Sequence, residues 1–442
     1  RLKTYTTPTL FGAGVTDVLM DATNFTNSIL IQTSSDGSAP TTGTLSSAND
    51  NVGIGKEVFT ALTGGQQNTA IGTETGKALT TGVNNTFLGY NAGIATTTGG
   101  YNVFIGKAAG NANTTASDNI FIGQLAGAAN TTGTHNIAIG DLAYDAPDTE
   151  SNNLAIGKDA LGGAIAGGEQ NVAVGNYAFD ALTSADNNVA IGYNAGTAVT
   201  TGGTNTIVGA NAGTALTTGL DSVLIGAYAG DSIIGADQNV CVGSSAGAAL
   251  TSGATNTYVG QGAGDAMVTG SNNVAIGVNC DASANDVSNA ISLGAAVNAA
   301  ANDFSFGKAS NVVTNDFDAD ADWSRSSDIR LKRNIQDTTL GLDFINDLRP
   351  VKFQWKPSNE VPKEMKAEYN EVNQKNLDIV SHGFIAQEVK EAIDKYGDTT
   401  FGGWHLDKTD NETQRVKKNM FVMPLIKAVQ ELTARVKELE AK

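Results

Sequence analysis

The chain has 442 residues, a net charge of −18, and 52 glycines against 7 prolines, so it exceeds one compact domain and its turns are short rather than disordered. Residues 1–322 carry 7 Lys/Arg against 26 Asp/Glu and residues 323–442 carry 20 against 19, which places a domain boundary near Trp323. The field of the acidic part repels polyanions, which argues against nucleic acid as a partner. The sequence shows neither an apolar run of about 18 residues nor a charged-then-apolar leader, so no membrane insertion is expected.

In chain order, residues 1–50 include a strand-like piece, Ser28–Gln32, and are read as an N-terminal shaft or adaptor segment. Residues 51–310 are governed by an internal repeat. An aliphatic residue followed by glycine recurs with the glycine at positions from Gly55, Gly72 and Gly89 to Gly277 and Gly294; thirteen of the fourteen spacings are 17 and one is 18. The residue before each glycine is Ile, Leu or Val, as in Ile71, Leu88 and Ile105, and another β-branched or aliphatic residue lies two positions earlier, as in Thr69, Val103 and Ile137. That period of two predicts a strand with one face inward and a thin core of Ile, Val and Ala. Four residues before the glycine stands Asn in thirteen of fifteen units, among them Asn68, Asn85 and Asn119, and stacked amides can hydrogen-bond along the column. After the glycine come two variable residues, a small residue and often a second glycine, as in Ala92-Gly93 and Ala126-Gly127. A Thr-Gly corner follows, as in Thr81-Gly82 and Thr132-Gly133.

The expectation is a mainly β fold: a β-solenoid or β-roll rod of 17-residue coils with two short strands and two turns each, about 70 Å long at the usual strand spacing of ~4.8 Å. One coil buries little, so burial of a second face in a homotrimer is the predicted route to stability. Cys241 and Cys280 replace small or apolar residues of the repeat and are read as buried packing residues, not a disulfide; no metal site and no cofactor is expected. Phe87, Phe104, Tyr90, Tyr101, Tyr193, Tyr228 and Tyr258 are candidates for outward aromatics that stack on sugar rings, with plain packing as the alternative. The Asn-Val-Ala-Ile-Gly pattern at Asn188–Gly192 and Asn273–Gly277 resembles the left-handed β-roll heads of trimeric autotransporter adhesins and of related phage fibres.

Residues 311–326 are polar and acidic and read as a linker. From there the segment Ser326-Ser327-Asp328-Ile329-Arg330-Leu331-Lys332-Arg333-Asn334-Ile335 opens a domain of ordinary composition over 327–442, predicted as small, α+β, and ending in a helix. With Leu340–Ile345, Leu348–Trp355 and His382–Val389, this segment resembles the endosialidase-type intramolecular chaperone, a self-cleaving peptidase found at the ends of phage fibres and tailspikes. The resemblance implies single-turnover autoproteolysis between Ser326 and Ser327. In that chemistry Ser327 attacks the Ser326 carbonyl and Lys332 is the general base, provided desolvation lowers its pKa. Asp328 and Arg330 would position the strand, and His382 is a minor candidate. Leu425, Val429, Leu432, Val436 and Leu439, spaced four, three, four, three, form a coiled-coil seam, and Pro424 suits the first turn of its helix.

The function expected from the resemblance is a structural phage tail fibre on the virion, assembled in the host cytoplasm and used for host attachment. Its partners would be two further copies, other virion tail proteins and a host cell-surface receptor such as a glycan. The alternatives are a tailspike that degrades host polysaccharide, for which no cluster of carboxylates stands out, and a bacterial trimeric adhesin, which would need a membrane anchor of amphipathic strands.

Overall fold

The computed structural model describes residues 18–33, 41–309, 311–316, 329–363, 365, 369, 371–373, 377–378, 380–407 and 413–442. The chain divides into two compact units, Arg1–Ser326 and Ser327–Lys442.

The first unit is a β-solenoid built on one 19-stranded sheet. Each repeat contributes one three-residue strand, such as Thr86–Leu88 or Val103–Ile105, paired parallel and in register with the strand 17 residues on, Thr86 opposite Val103 and Leu88 opposite Ile105. A second short strand per coil is seen only near the end, where Asp281–Ala282 pairs with Asn298–Ala299; elsewhere the described coils turn through corners. The sheet starts earlier than the repeat, because Phe25–Thr33 pairs parallel with Val52–Lys56 and antiparallel with Val18–Ala22. It also ends later. Asn311–Asp316, expected to open the linker, forms a strand antiparallel to Asp303–Lys308, while residues 317–326 lie outside the described residues.

Strand alternation has the opposite sense to the one predicted. The middle residue of each strand is buried, and the aliphatic residues on either side of it face out. Ala70, Phe87, Phe104, Phe121, Ile207 and Leu224 have no exposed surface, whereas Ile54, Ile71, Leu88, Ile191 and Ile276 keep 38–43% of theirs. The core therefore consists of Ala, Phe, Leu and Cys columns, and the Ile/Val columns form the outer face of the sheet. The physical reason is space: the glycine after the strand packs its backbone on the next coil, and only the middle side chain fits between sheet and corner. At Gly106 φ is +139°, and a Cβ there would lie 2.2 Å from the Gly123 carbonyl oxygen.

The Asn column forms as predicted. Asn102 accepts the Asn119 backbone N–H on its side-chain oxygen at 3.0 Å, and its amide donates to Asn85 Oδ1 at 3.1 Å and to the Ala116 carbonyl at 2.9 Å. Every polar group of this buried amide is thereby engaged. Thr80 and Thr97 hydroxyls donate to the carbonyls of Thr97 and Thr114, each at 3.1 Å.

The core is filled by a complementarity within most coils; at Ala70 with Gly76 and Ala190 with Gly196 the side chains of neighbouring coils, Phe59 and Phe87 or Phe179 and Ile207, close on the glycine instead. Where the strand centre is Phe87, Phe104 or Phe121, the residue four after the glycine is Gly93, Gly110 or Gly127; where the centre is Ala138, Ala155 or Ala173, that position holds Tyr144, Leu161 or Phe179. The backbone is left-handed at this corner in both kinds of coil, with φ +57° at Gly110 and +51° at Tyr144 and Phe179. Glycine is the unstrained choice, and a large residue appears where a small strand centre, an alanine or the Gly53 that faces Phe59, has left a gap. Phe104 stacks between Phe87 and Phe121 at 5.1 and 5.0 Å, and Tyr144 continues the row at 6.5 Å.

The one 18-residue coil leaves the sheet undisturbed, Leu154–Ile156 pairing in register with Val172–Val174. Its additional residue is taken up at the far corner, between Ala160 and Gly168. There the buried Glu150 carboxylate accepts N–H bonds from Asp148 and Thr149, each at 3.0 Å, and from Gly167 at 2.9 Å. Cys241 and Cys280 are free and buried, and burial alone pushes the Cys241 thiol up to about 12.

Candidate functional site

The second unit holds its motif segments around one small core of Leu340, Phe344, Val389, Ala392, Ile393 and Phe421. Helix α1 (Leu342–Asp347) contributes Phe344, which stacks on Phe421 at 6.2 Å and meets Phe401 edge-on at 5.7 Å. Helix α2 (Ala386–Tyr396) contributes Val389, Ala392 and Ile393, and it stops at Gly397, whose left-handed φ of +70° closes its C-terminus. Between them Val351–Phe353 pairs antiparallel with Ser381–Gly383, placing Lys352 opposite His382.

Polar links join the same segments. Arg349 grips the Glu388 carboxylate through both Nε, at 3.0 Å, and a terminal nitrogen, so the guanidinium holds that acid below the usual carboxylate range. Lys395 and the Tyr396 hydroxyl both donate to Asp347, each at 2.7 Å, with Lys395 the larger cause of its lowered pKa.

Helix α3 (Val422–Glu440) docks by a narrow stripe, burying Pro424 and Ala428. Its Glu431 accepts the Leu342 N–H at 2.7 Å, so the carboxylate sits on the first turn of α1. Gly341 makes the approach possible: a Cβ there would lie 2.4 Å from Glu431 Oε2. The seam residues Leu425, Val429, Leu432, Val436 and Leu439 point away from this stripe and are exposed. Sequence reasoning identified the seam but not the Glu431–Gly341 latch. The Leu-Gly-Leu step at 340–342 was its only signal.

Of the residues assigned to autoproteolysis, Ser326, Ser327 and Asp328 lie outside the described residues. Arg330 lies in a single 3-10 turn, Ile329–Leu331, and the Lys332 N–H closes it onto the Ile329 carbonyl at 3.1 Å. Arg330 and Lys332 are both exposed in one chain. His382 is exposed on its strand, with its carbonyl accepting from Lys418, a backbone role. Among the described residues no three His, Cys, Asp or Glu side chains are grouped to hold a metal ion.

In the rod, the structure corrects the assignment of outward aromatics. Phe87, Phe104 and Tyr258 are fully buried, because the middle strand position faces the core, while Tyr90, Tyr101, Tyr193 and Tyr228 are exposed. Tyr177 and Tyr193 meet edge-on at 6.0 Å, with Lys158 5.9 Å from the Tyr177 ring.

Comparison with known proteins yields no match among curated sequences and none among solved structures. One family model matches, that described as chaperone of endosialidase, over residues 327–398; α3 lies beyond the matched stretch. The match begins at the first residue of the second compact unit and spans α1, both paired strands and α2. Residues 327–398 of the carboxy-terminal unit thus match the chaperone-of-endosialidase family, in a chain whose first unit is a β-solenoid.

Proposed function

We propose that the protein is a phage tail fibre or tailspike-type appendage. In this reading three copies are brought together by the carboxy-terminal domain, which then cuts itself off before Ser327. The observation that carries it is the chaperone-of-endosialidase match beginning at residue 327, directly after a rod that ends in its own capping strand. The exposed heptad seam of α3 and the exposed aliphatic columns of the rod are the surfaces that further copies would cover. Ser327 is the nucleophile and Lys332 its base. Since Lys332 is exposed in one chain, its shielding from water has to come from neighbouring copies, and cleavage then waits for assembly. Removal of the domain leaves the rod unable to unfold along the route by which it formed. Host attachment would use the outward side chains, among which Tyr193 and Tyr177 offer ring surface.

The test is denaturing mass analysis of fresh full-length chain beside Ser327→Ala and Lys332→Ala. Fragments of the sizes of residues 1–326 and 327–442 in the parent, with both variants whole, support the reading. A parent chain that stays whole as an assembled trimer refutes self-cleavage, and a monomer refutes the fibre.

A further inference from the structure

If the terminal domain leaves after cleavage, whatever keeps the copies aligned has to reside in residues 1–326, and the outer face of the sheet is where to look. From Ile29 and Ile31 through Thr69 and Ile71, Val103 and Ile105, to Ile291 and Leu293, the two outward positions that flank each buried strand centre hold only Val, Ile, Leu or Thr, and the first charge in these strands, Lys56, stands one outward position further along. The rest of the rod is strongly acidic. The strip measures about 70 Å by about 10 Å, roughly 700 Å², close to the ~800 Å² per partner of a stable interface. Its ridges recur every ~4.8 Å, and a second copy of this chain, carrying the same period, is the occupant that matches them over the whole length.

That uniformity fixes which faces meet but not their axial register. Slipping one copy by a coil exchanges Ile for Ile along the strip and gives up only one coil of overlap at the ends. The 18-residue coil supplies no key, since its additional residue is at the far corner and the sheet passes it in register. One level is different. In the last parallel strand, Asp303–Lys308, the outward positions are Phe304 and Phe306, opposite Ile291 and Leu293; their rings lie 5.7 Å apart, and Phe306 keeps 40% of its surface. They are the only aromatics among the outward positions of the parallel strands.

We propose that Phe304 and Phe306 form an aromatic layer between copies of this chain that sets the axial register of the rod. The inference rests on the trimeric reading above. Rings from each copy at one level pack on one another, whereas a slipped copy sets rings against the smaller Ile and Leu of the neighbouring level and leaves gaps. The layer belongs to the last parallel strand, twenty residues before Ser326 in the chain, so an alignment imposed by the terminal domain is captured before that domain departs.

The experiment uses full-length chain with two differently tagged populations, Ile71→Cys and Ile105→Cys, co-expressed and oxidised. These sites are two coils apart, about 9.6 Å along the rod, beyond the ~7 Å reach of a disulfide in an aligned assembly. The native Cys241 and Cys280 are buried and do not compete. In the parent background only 71–71 and 105–105 cross-links are expected. In Phe304→Leu/Phe306→Leu, which makes the level like its neighbours, mixed 71–105 cross-links should rise from undetectable to on the order of a tenth of the total. Adding Thr86→Phe/Leu88→Phe to both populations should remove them again. Same-residue cross-links alone in the leucine variant would overturn the proposal, and so would loss of the oligomer in that variant, because the layer would then hold copies together rather than order them. A parent that forms trimers by light scattering without cross-links at either site would instead show that the aliphatic face is not between copies.

Discussion

Core filling within a coil makes a prediction with a definite sign. Phe104→Ala removes a fully buried ring that stacks on a neighbour at each side. A Phe→Ala change at such a site costs about 3–5 kcal/mol, and the two lost stacking partners add about 0.5–1.5 kcal/mol each. Gly110→Phe is damaging for the opposite reason: the first atom it adds lies 2.7 Å from the Phe104 ring, and φ of +57° costs a side chain about 1–2 kcal/mol. Combined, the two changes convert this coil to the pattern of Ala173 and Phe179, and the new ring enters the space the old one left. The double variant should pay only the backbone strain and imperfect packing, about 1–3 kcal/mol, and so be more stable than either single variant.

The assay is chemical unfolding of rods carrying each single change and both, followed by far-UV circular dichroism, with unfolding rates compared where the transition is irreversible. A coupling of about 2 kcal/mol or more in favour of the pair is expected. If the double variant is as unstable as the sum of the singles, the pairing of large with glycine and alanine with large is not what fills the core.

Further outcomes follow from the polar columns, the latch and the carboxylates. Asn102→Leu strands the Asn119 N–H in a buried column, at about 1–3 kcal/mol, and leaves the Ala116 carbonyl only its longer bond from the Asn113 amide at 3.3 Å, so it should lower the unfolding midpoint more than Thr98→Leu at an exposed corner. Gly341→Ala forces Glu431 off the start of α1; α3 should loosen, read as faster amide exchange over Val422–Glu440, with Glu431→Ala giving the same pattern. In the rod, burial first of all holds Asp145, Asp180, Asp231 and Asp281 above their ordinary value of 3.8, so the folded state binds more protons and stability rises as pH falls from neutral toward that value; Glu57, lowered by Lys77, is the opposing group. In the terminal domain Asp347 and Glu388 are lowered, so their contribution is present above the ordinary values of 3.8 and 4.5 and is lost as pH falls through the folded ones. Acidification from pH 7 toward about 4 should raise the circular-dichroism transition of the rod, and the fluorescence transition of Trp355 and Trp404 in the domain should fall only below that range.

The period, the Asn column, the corner glycines and the terminal domain were legible because each repeats or matches at fixed spacing. Which face of the strand is inside was not. An Ile-x-Ile strand flanking a small residue reads as apolar-in by the usual rule, yet here the alternation carries apolar residues on both faces, and only the corner decides which one is enclosed. Phe87 and Tyr258 looked variable, and therefore outward, because the residue that compensates them is six positions away across the turn, at Gly93 and Gly264. In the terminal domain the motifs located α1, α2 and the paired strands. They could not announce the Glu431 latch, because Leu342 and Glu431 are 89 residues apart and only the fold brings them together.

The two faces of the same strand thus carry different kinds of information. Inward, every coil has its own combination of Phe, Tyr, Leu, Ala and Gly, and a mismatch with the coils above and below opens a gap or a clash. Yet along one chain that specificity is scarcely needed for alignment, since covalent connection already delivers each coil to its neighbour after 17 residues. Outward the residues are nearly interchangeable, and there no peptide bond enforces order between copies. A surface so uniform favours association in many registers at once, which is a kinetic hazard for a long parallel β assembly. In the function proposed above, an appended domain that assembles through its own helix would supply alignment before the strips meet, and a distinct layer in the last parallel strand of the rod would retain that alignment afterward. On that proposal the uniform face, the chaperone domain and the two phenylalanines of the last parallel strand are three parts of one solution to the register problem.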